Sequence, residues 1–336
     1  MPPSKGGGME INMKILVFDI GGTAIKYGVC KDGRLLSTAE TPTNAALGGR
    51  HVLDTIIALT EEAFSFGSPR SLPEPFDAIG ISTAGQVNAE TGSIIYANSN
   101  IPGYTGMEIR KELEAKFHIP VMVENDVNSA AIGEAVYGAG KNSESFLCLT
   151  YGTGVGGAIV QDKKIYHGSS FSAGEFGGIV THGDVRLAIN TSPRSITNDV
   201  SEKTATYEKD YFGGCYERYA SVTALVKKAM EYDRNLTNGR AIFEHLDDPC
   251  VSDILNNWVD EIALGLVTLI HIFNPPCIVL GGGIMTQPLI LNTLKDKLFS
   301  QIMPNFSHVK LVTAELGNHA GLCGIYYLAS EYCRMK

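Results

Sequence analysis

Two glycine-rich segments of the sequence also contain threonine and could bind phosphate groups. Asp19-Ile20-Gly21-Gly22-Thr23 follows one apolar run, and Gly152-Thr153-Gly154-Val155-Gly156-Gly157 follows another. Glycine lets the backbone approach a ligand closely, and backbone N–H groups together with threonine hydroxyls can bind phosphate oxygens. One nucleotide whose β- and γ-phosphates are held from opposite sides would explain both segments. The alternative is a pair of ordinary tight hairpins.

The second segment matches the G-x-G-x-x-G pattern, which by itself has several interpretations. A dinucleotide site requires the last glycine to open a helix, whereas the residues after Gly157 have the pattern of a strand. A protein kinase would need V-A-I-K, H-R-D and D-F-G motifs, which this sequence lacks. A P-loop is excluded because Gly140-Lys141 lacks both the earlier glycine and the following hydroxyl residue of that motif. A third run, Gly281-Gly282-Gly283, follows a strand and favours close backbone approach to an adenosine.

One carboxylate between the glycine segments is placed to accept a proton. Asp126 follows the short apolar strand expected at 120–124 and precedes the alanine-rich helix expected at 127–137. The carboxyl ends of strands are where α/β sheets bind ligands. An aspartate at such a junction serves either as a general base or as a plain helix N-cap, and its position alone leaves both interpretations open.

The elements that would position these residues alternate between strands and helices, which predicts an α/β fold. Strands are expected at 14–19, 24–30, 78–82, 120–124, 146–150, 158–160, 277–280 and 311–316, and helices at 51–66, 127–137, 216–232, 251–273 and 319–332. Thr105 and Glu108 have the spacing of a capping box at the start of one further helix. The polar stretch 189–207 is expected to be a surface excursion.

The two glycine segments lie in similar local sequences. The shift that places Gly22-Thr23 on Gly152-Thr153 also places Lys31-Asp32 on Gln161-Asp162 without a gap. This similarity predicts two copies of one β-rich nucleus with a cleft between them. The expected organisation is a leader at 1–13, a smaller lobe formed by 14–126 with 319–336, and a larger lobe formed by 127–318.

Taken together, the motifs resemble those of the ROK family of bacterial sugar kinases and repressors, in the actin-like ATPase superfamily. Residues 19–23 are similar to the family's D-x-G-G-T, 124–131 to its N-D-x-N-A-A block, 152–157 to its G-T-G-x-G-G, 173–177 to its A-G-E-x-G, and Asn274-Pro275 with 281–283 to its N-P…L-G-G-G. The resemblance extends from Lys14 to Leu328. It implies a two-lobed, ribonuclease H-like fold with a duplicated βββαβα nucleus.

The resemblance also implies an ATP-dependent sugar kinase that uses Mg²⁺, with Asp126 as the general base. The acceptor would be a primary hydroxyl, expected to be the 6-OH of a hexose, of an N-acylhexosamine such as N-acetylmannosamine, or of a β-glucoside. The positions that match sugar-binding residues are Gly85, Asn100, Asn125, Glu175 and Glu217. Those expected to bind ATP and its phosphates are Asp19, Gly21, Gly22, Thr23, Lys26, Gly152, Thr153, Gly154, Gly282 and Gly283, with Asp19 nearest to the metal, directly or through water.

The sequence departs from the family pattern where many members bind zinc. Gly178 stands where the family's E-x-G-H motif has histidine, and Cys215 alone remains of its C-x-C-G-x-x-x-C motif. A four-coordinate zinc site cannot be built from that remnant, so no zinc is expected. Because the missing histidine bridges zinc and sugar in the family, the sugar pocket is expected to differ and the sugar remains unassigned.

Composition and charge exclude several other classes. Lysine and arginine total 27 against 36 aspartate and glutamate, and no basic cluster is visible, so nucleic acid is not an expected partner. About a dozen residues precede the first strand, far fewer than the winged helix of a ROK repressor needs. A sugar-sensing regulator or a catalytically silent sugar-binding protein is the alternative to a kinase.

The expected location is the cytoplasm. The most apolar stretch, 262–272, is too short to span a bilayer, and no signal peptide is recognised. Seven scattered cysteines are typical of reduced thiols rather than of a disulfide framework. The family resemblance implies a homodimer.

Overall fold

The computed structural model describes residues 13–65, 76–184 and 213–335. Residues 1–12 of the expected leader and the polar stretch 189–207 lie outside the described residues. The chain divides into two compact units. Unit 1 comprises Met1–Phe146, Ala158–Gly174 and Ala314–Lys336, and unit 2 comprises Leu147–Gly157 and Glu175–Thr313.

The first sheet has five strands. They are β1 Lys14–Ile20, β2 Ala24–Lys31, β3 Arg34–Pro42, β4 Ala78–Thr83 and β7 Val121–Asn125, in the order β3-β2-β1-β4-β7. β1 and β2 are antiparallel, as are β2 and β3, whereas β1, β4 and β7 are parallel. The parallel strands are apolar on both faces because both faces are covered. The small hairpin of β5 Gln86–Asn88 and β6 Ser93–Tyr96 forms a separate two-stranded sheet.

The second sheet repeats this topology. Its strands are β8 Phe146–Tyr151, β9 Val155–Gln161, β10 Lys164–Ile165, β11 Cys277–Gly281 and β12 Lys310–Thr313, in the order β10-β9-β8-β11-β12. β9 and β10 are antiparallel, while β11 is parallel to both β8 and β12. The same strand order in both sheets confirms the α/β class and the duplicated nucleus.

The hairpin turns at the matched positions have the same backbone conformation. Asp32 and Gly33 have φ values of 52° and 72°, and Asp162 and Lys163 have values of 51° and 60°. Two consecutive left-handed residues are typical of a tight hairpin turn. This left-handed conformation is less favourable for lysine than for glycine. Here the Lys163 ammonium donates hydrogen bonds to the carbonyl oxygens of Ala135, Gly140 and Lys141, which hold the turn in place.

Nine α-helices lie entirely within the described residues. They are α1 Gly49–Ser65, α2 Ile109–Phe117, α3 Asp126–Tyr137, α4 Glu217–Ala220, α5 Val222–Tyr232, α6 Gly239–Glu244, α7 Pro249–Phe273, α8 Pro288–Phe299 and α9 Ala320–Met335. The single helix expected at 216–232 is wrong. Ser221 is extended between α4 and α5, and its hydroxyl accepts a hydrogen bond from the Ala224 N–H, so it caps a new helix.

Two other expected boundaries also differ from the structure. The capping box is wrong because α2 begins at Ile109, and the Thr105 hydroxyl accepts a hydrogen bond from the Ala97 N–H instead. The last strand ends at Thr313 rather than at 316, since the N–H groups of Glu315 and Leu316 donate to the buried Glu134 carboxylate.

Helix α9 covers one face of the first sheet. Its side chains Leu322 and Ile325 pack with Ile15 and Val17 of β1 in a cluster that is almost fully buried. α9 also contacts α3 closely, because a β-carbon at Gly324 would overlap the Ser129 carbonyl oxygen. Glycine at this position therefore permits the two backbones to touch.

None of the seven cysteines, all of which lie in the described residues, forms a disulfide bond. Of the helices in the described part of the chain, none combines the length and the apolar character needed to cross a bilayer.

Candidate functional site

The first glycine loop of unit 1 joins β1 to β2 and is held by residues that carry no motif. The Gly21 N–H donates to Ala24 O at 3.0 Å, and Thr43 Oγ1 donates to Gly21 O at 2.7 Å. The backbone N–H of Thr43 donates to Thr23 O at 2.9 Å. Thr43 is fully buried, whereas Gly22 and Thr23 are exposed. The loop thus has a fixed shape, with its tip open to a ligand.

Asp19 lies at the carboxyl end of β1, opposite Lys26 on β2. Its Oδ1 accepts a hydrogen bond from Ser82 Oγ at 2.7 Å, and a β-carbon at Gly321 in α9 would lie 2.7 Å from the same oxygen. Burial raises the pKa of Asp19 above its usual value, although the Ser82 hydrogen bond and the charge of Lys26 act in the opposite direction. A carboxylate oxygen is the ligand type that Mg²⁺ prefers, so Asp19 fits the expected metal-binding role.

Asn125 and Asp126 have different roles at the start of α3. Asn125 is the N-cap, because its Oδ1 accepts hydrogen bonds from Val127 N at 2.9 Å and Asn128 N at 3.0 Å. Its Nδ2 donates to Asp126 Oδ1 and to Gly85 O, each at 2.9 Å. The interpretation of Asp126 as a plain N-cap is therefore wrong. Asp126 is the first residue of the helix, where the helix dipole stabilises its negative charge.

The surroundings of Asp126 include one pair of residues that had no predicted role. Thr83 Oγ1 and Tyr104 OH are 2.7 Å apart and buried. Burial, reinforced by the nearby charge of Asp126, raises the pKa of Tyr104, so the phenol keeps its proton. Asn100 lies on the exposed segment after β6, and its backbone N–H donates to Asn98 Oδ1 at 3.1 Å. The structure thus brings Gly85, Asn125 and Asp126 together, and it places Asn100 on a surface segment of the same unit.

A histidine–glutamate pair supports the same strand end. Glu124 is 1% exposed and accepts hydrogen bonds from Asn125 N at 2.8 Å and Asn128 Nδ2 at 3.0 Å. Its other oxygen lies 2.7 Å from His167 Nε2. Burial lowers the pKa of His167, but the hydrogen bond and charge of Glu124 outweigh it, and the net pKa is raised. No sequence motif indicated this pair, because its members are far apart in the chain.

The second glycine loop belongs to unit 2 and is followed by a strand. Gly152 N donates to Gly154 O at 3.0 Å, and Val222 N donates to Gly152 O at 3.0 Å. Val155 N donates to Glu217 Oε2 at 3.0 Å. Because β9 starts at Val155, the last glycines of the pattern lie in a strand and not at the start of a helix. This geometry confirms that the loop is not a dinucleotide fingerprint.

A pocket of about 750 Å³ opens beside this loop, with a volume suited to a nucleotide. Gly152, Thr153 and Gly283, three of the residues expected to bind ATP, line this pocket. Gly282 has φ +106°, and a β-carbon there would overlap the Tyr151 carbonyl oxygen, so only glycine fits at this position directly after β11, beside the end of the parallel strand β8. The remaining lining residues were not predicted: Tyr151, Val222, Thr223, Val226, Thr237, Asn238, Gly239, Arg240, Phe243, Glu244, Ile284 and Gln287. Tyr151 is the last residue of β8, and most of the others come from α5, α6 and neighbouring loops, where no motif was recognised.

The two glutamates expected to bind sugar have different surroundings in unit 2. Glu175 is exposed and immediately precedes the short helical turn Phe176–Gly178. Glu217 is the first residue of α4, and its carboxylate lies against the second glycine loop. The structure therefore brings Glu217 to the predicted phosphate-binding residues and places Glu175 at the start of the helical turn.

Backbone pairing joins the two segments in which the family's zinc motif is missing. Cys215 is buried, and its Sγ lies 3.2 Å from Gly178 O, where it donates a hydrogen bond. Cys215 also forms an isolated antiparallel bridge with Val180. Across the described ranges, no three His, Cys, Asp or Glu side chains are grouped to hold a metal ion.

Comparison with known families tests the resemblance that the motifs indicated. The family model described as "ROK family" matches residues 15–332 of this chain. The protein belongs to the ROK family. The resemblance read from the motifs is thereby confirmed over almost the whole chain.

Several ROK relatives have named activities. A beta-glucoside kinase from Listeria innocua is 31% identical over 320 residues, which cover 94% of this chain and 97% of that protein. A glucokinase from Streptomyces coelicolor is 31% identical over 337 residues, covering 93% and 96% of the two chains. The structure of a ROK family glucokinase from Streptomyces griseus in complex with glucose and AMPPNP has a TM-score of 0.74 at 27% identity, covering 96% of this chain and 100% of that one.

Proposed function

We propose that this ROK protein is an ATP-dependent sugar kinase that phosphorylates a primary hydroxyl of its substrate. The proposed acceptor is the 6-OH of a hexose, an N-acylhexosamine or a β-glucoside. The observation that carries the proposal is the Asn125-Asp126 junction: Asn125 caps α3, which leaves Asp126 beside it for a role other than capping. Relatives that cover more than nine-tenths of this chain and are named glucokinase or beta-glucoside kinase support it.

Asp126 is the proposed general base. A primary alcohol is a weak nucleophile at neutral pH, and a positioned carboxylate accelerates its attack on phosphorus by accepting its proton. The hydrogen bonds that Asp126 Oδ1 accepts from Asn125 Nδ2 and Val127 N fix the direction of the carboxylate. Asn125, Gly85, Asn100, Glu175 and Glu217 are proposed to bind sugar hydroxyls, by their match to the family motifs.

The nucleotide is proposed to occupy the pocket beside the second glycine loop, with its phosphates near Thr153 and Gly154. Backbone N–H groups in such loops bind phosphate oxygens and stabilise the charge of the transferring group. Asp19 is the proposed residue for Mg²⁺, directly or through water, and Lys26 is proposed to assist the phosphates of the nucleotide. The metal, when bound, neutralises charge on the β- and γ-phosphate oxygens.

The proposal is tested by ADP release from Mg-ATP across a panel of sugars. Glucose represents the hexoses, N-acetylmannosamine the N-acylhexosamines, and methyl β-D-glucoside the β-glucosides, whose anomeric hydroxyl is blocked. We expect ADP release with at least one sugar class, and a 6-phosphate product by ³¹P NMR. The 6-deoxy form of each accepted sugar should bind to the protein but should not cause ADP release. Sugar binding with no ADP release from any class would contradict the proposal and favour a regulator or a silent sugar-binding protein.

A further inference from the structure

The carboxylate of Glu217 is built into the second glycine loop. Its Oε2 accepts the Val155 N–H at 3.0 Å, directly after the last loop residue, Gly154. A β-carbon at Gly154 would overlap this oxygen, and a β-carbon at Gly177 would lie 3.3 Å from it. Two glycines therefore leave space for the carboxylate, and a hydrogen bond to a charged acceptor is stronger than one between neutral groups.

The backbone that carries Glu217 is fixed by its buried neighbour Tyr216. The Tyr216 N–H donates to Ile179 O at 2.8 Å, and its hydroxyl donates to Ile262 O at 2.9 Å. The same hydroxyl lies 2.8 Å from the hydroxyl of Tyr151, the residue that precedes the loop. Gly265 of α7 provides space for the ring, because a β-carbon there would overlap it. Glu217 is thus held at the loop independently of any ligand.

The hydrogen bonds within the loop leave two of its amides for a ligand. The Gly152 N–H binds Gly154 O, and the Val155 N–H binds Glu217. Within the described residues, the N–H groups of Thr153 and Gly154 take part in no hydrogen bond that the structure shows. The direction of these two amides depends on the groups that fix the loop on either side. Val222 N fixes one side through Gly152 O, and Glu217 fixes the other through Val155 N.

We infer that Glu217 is a positioning residue for nucleotide binding: its carboxylate anchors Val155 and so orients the Thr153 and Gly154 amides toward phosphate oxygens. This role differs from the sugar-binding role expected from the family motif, and it rests on the proposed function for the identity of the ligand. It requires no contact between Glu217 and the nucleotide.

The test measures binding of Mg-AMPPNP to the full chain by calorimetry, with no sugar present. Glu217→Ala removes the anchor, and we expect the Kd to rise roughly tenfold, as the loss of a charge-assisted hydrogen bond predicts. Glu217→Gln keeps an oxygen that can accept the Val155 N–H, and its Kd is expected to stay within roughly threefold of wild type. Glu62→Ala, an exposed glutamate of α1, is the matched control and should bind like wild type.

A second variant protects the test against a folding defect in Glu217→Ala. Gly154→Ala keeps the Glu217 side chain but places a methyl group where its Oε2 lies, so it should also weaken Mg-AMPPNP binding. Sugar-free binding by Glu217→Ala that equals wild type, with a raised sugar KM, would overturn the inference and leave Glu217 as a sugar ligand only. Failure of the wild-type protein to bind any nucleotide would instead contradict the proposed function.

Discussion

The variant Asp126→Asn tests the assignment of the general base most directly. Asp126 Oδ1 accepts hydrogen bonds from Val127 N and Asn125 Nδ2, each at 2.9 Å. An asparagine retains this oxygen, so the start of α3 is preserved while the ability to take a proton is lost. We expect stability to change by less than about 1 kcal/mol. Turnover should fall roughly 10²- to 10⁴-fold, which corresponds to about 3–5 kcal/mol of transition-state stabilisation.

The assay combines three measurements on the same preparation: kcat from ADP release with the best sugar, Kd for Mg-AMPPNP, and the midpoint of thermal unfolding. Only kcat should change markedly, because a base acts mainly in the transition state. Asp32→Asn is the control, since it removes the same charge from an exposed hairpin turn whose φ of +52° asparagine tolerates. A kcat of the Asp126→Asn variant within a factor of roughly three of wild type would refute the base assignment.

Three further predictions concern the residues that support the site. His167→Gln should lower the free energy of unfolding more at about pH 5.5 than at about pH 9, as measured by urea titration. A histidine pKa that is raised in the folded state gives stability that is complete below the unfolded pKa and is lost as the pH rises through the folded pKa. Equal losses of stability at both pH values would contradict this prediction. Gly324→Ala should lower the free energy of unfolding by about 3 kcal/mol through overlap with Ser129, while Gly183→Ala, whose β-carbon would meet no atom of the described residues within 4 Å, should change it by less than about 1 kcal/mol. Thr43→Val removes the hydroxyl that holds Gly21 O, and we expect the KM for ATP to rise roughly threefold to tenfold in steady-state kinetics, an unchanged KM being the contrary result.

The sequence located correctly those candidate residues whose position in a strand, loop or helix is set by local patterns. A glycine loop after a strand, and an Asn-Asp pair between a strand and a helix, are defined by residues within a few positions of one another. Asp126 could be placed at the start of α3 because strand and helix patterns meet there. The duplicated nucleus was also predicted, since the two copies share a spacing around Gly22 and Gly152, whereas the strand order within each sheet is known only from the structure.

The residues that sequence reasoning missed act through contacts between distant segments. Ser82 reaches Asp19 only because β4 pairs with β1, and His167 reaches Glu124 across 43 positions of the chain. Neither residue lies in a motif, so neither could be recognised before the sheet was known. The wrong capping box has a similar cause. The Thr105 hydroxyl can bind either a helix N–H or a nearby loop, and tertiary structure brings Ala97 close enough to compete.

The position of α9 has a consequence for how the protein is made on the ribosome. This helix buries the face of β1 that contains Ile15 and Val17, and Tyr326 OH accepts a hydrogen bond from Gly33 N, 293 positions earlier in the chain. During synthesis the first strands emerge long before their covering helix, so that apolar face stays open while unit 2 is translated. The N-terminal sheet is therefore expected to reach its final packing only after α9 has left the exit tunnel, and nascent chains would need protection from aggregation until then.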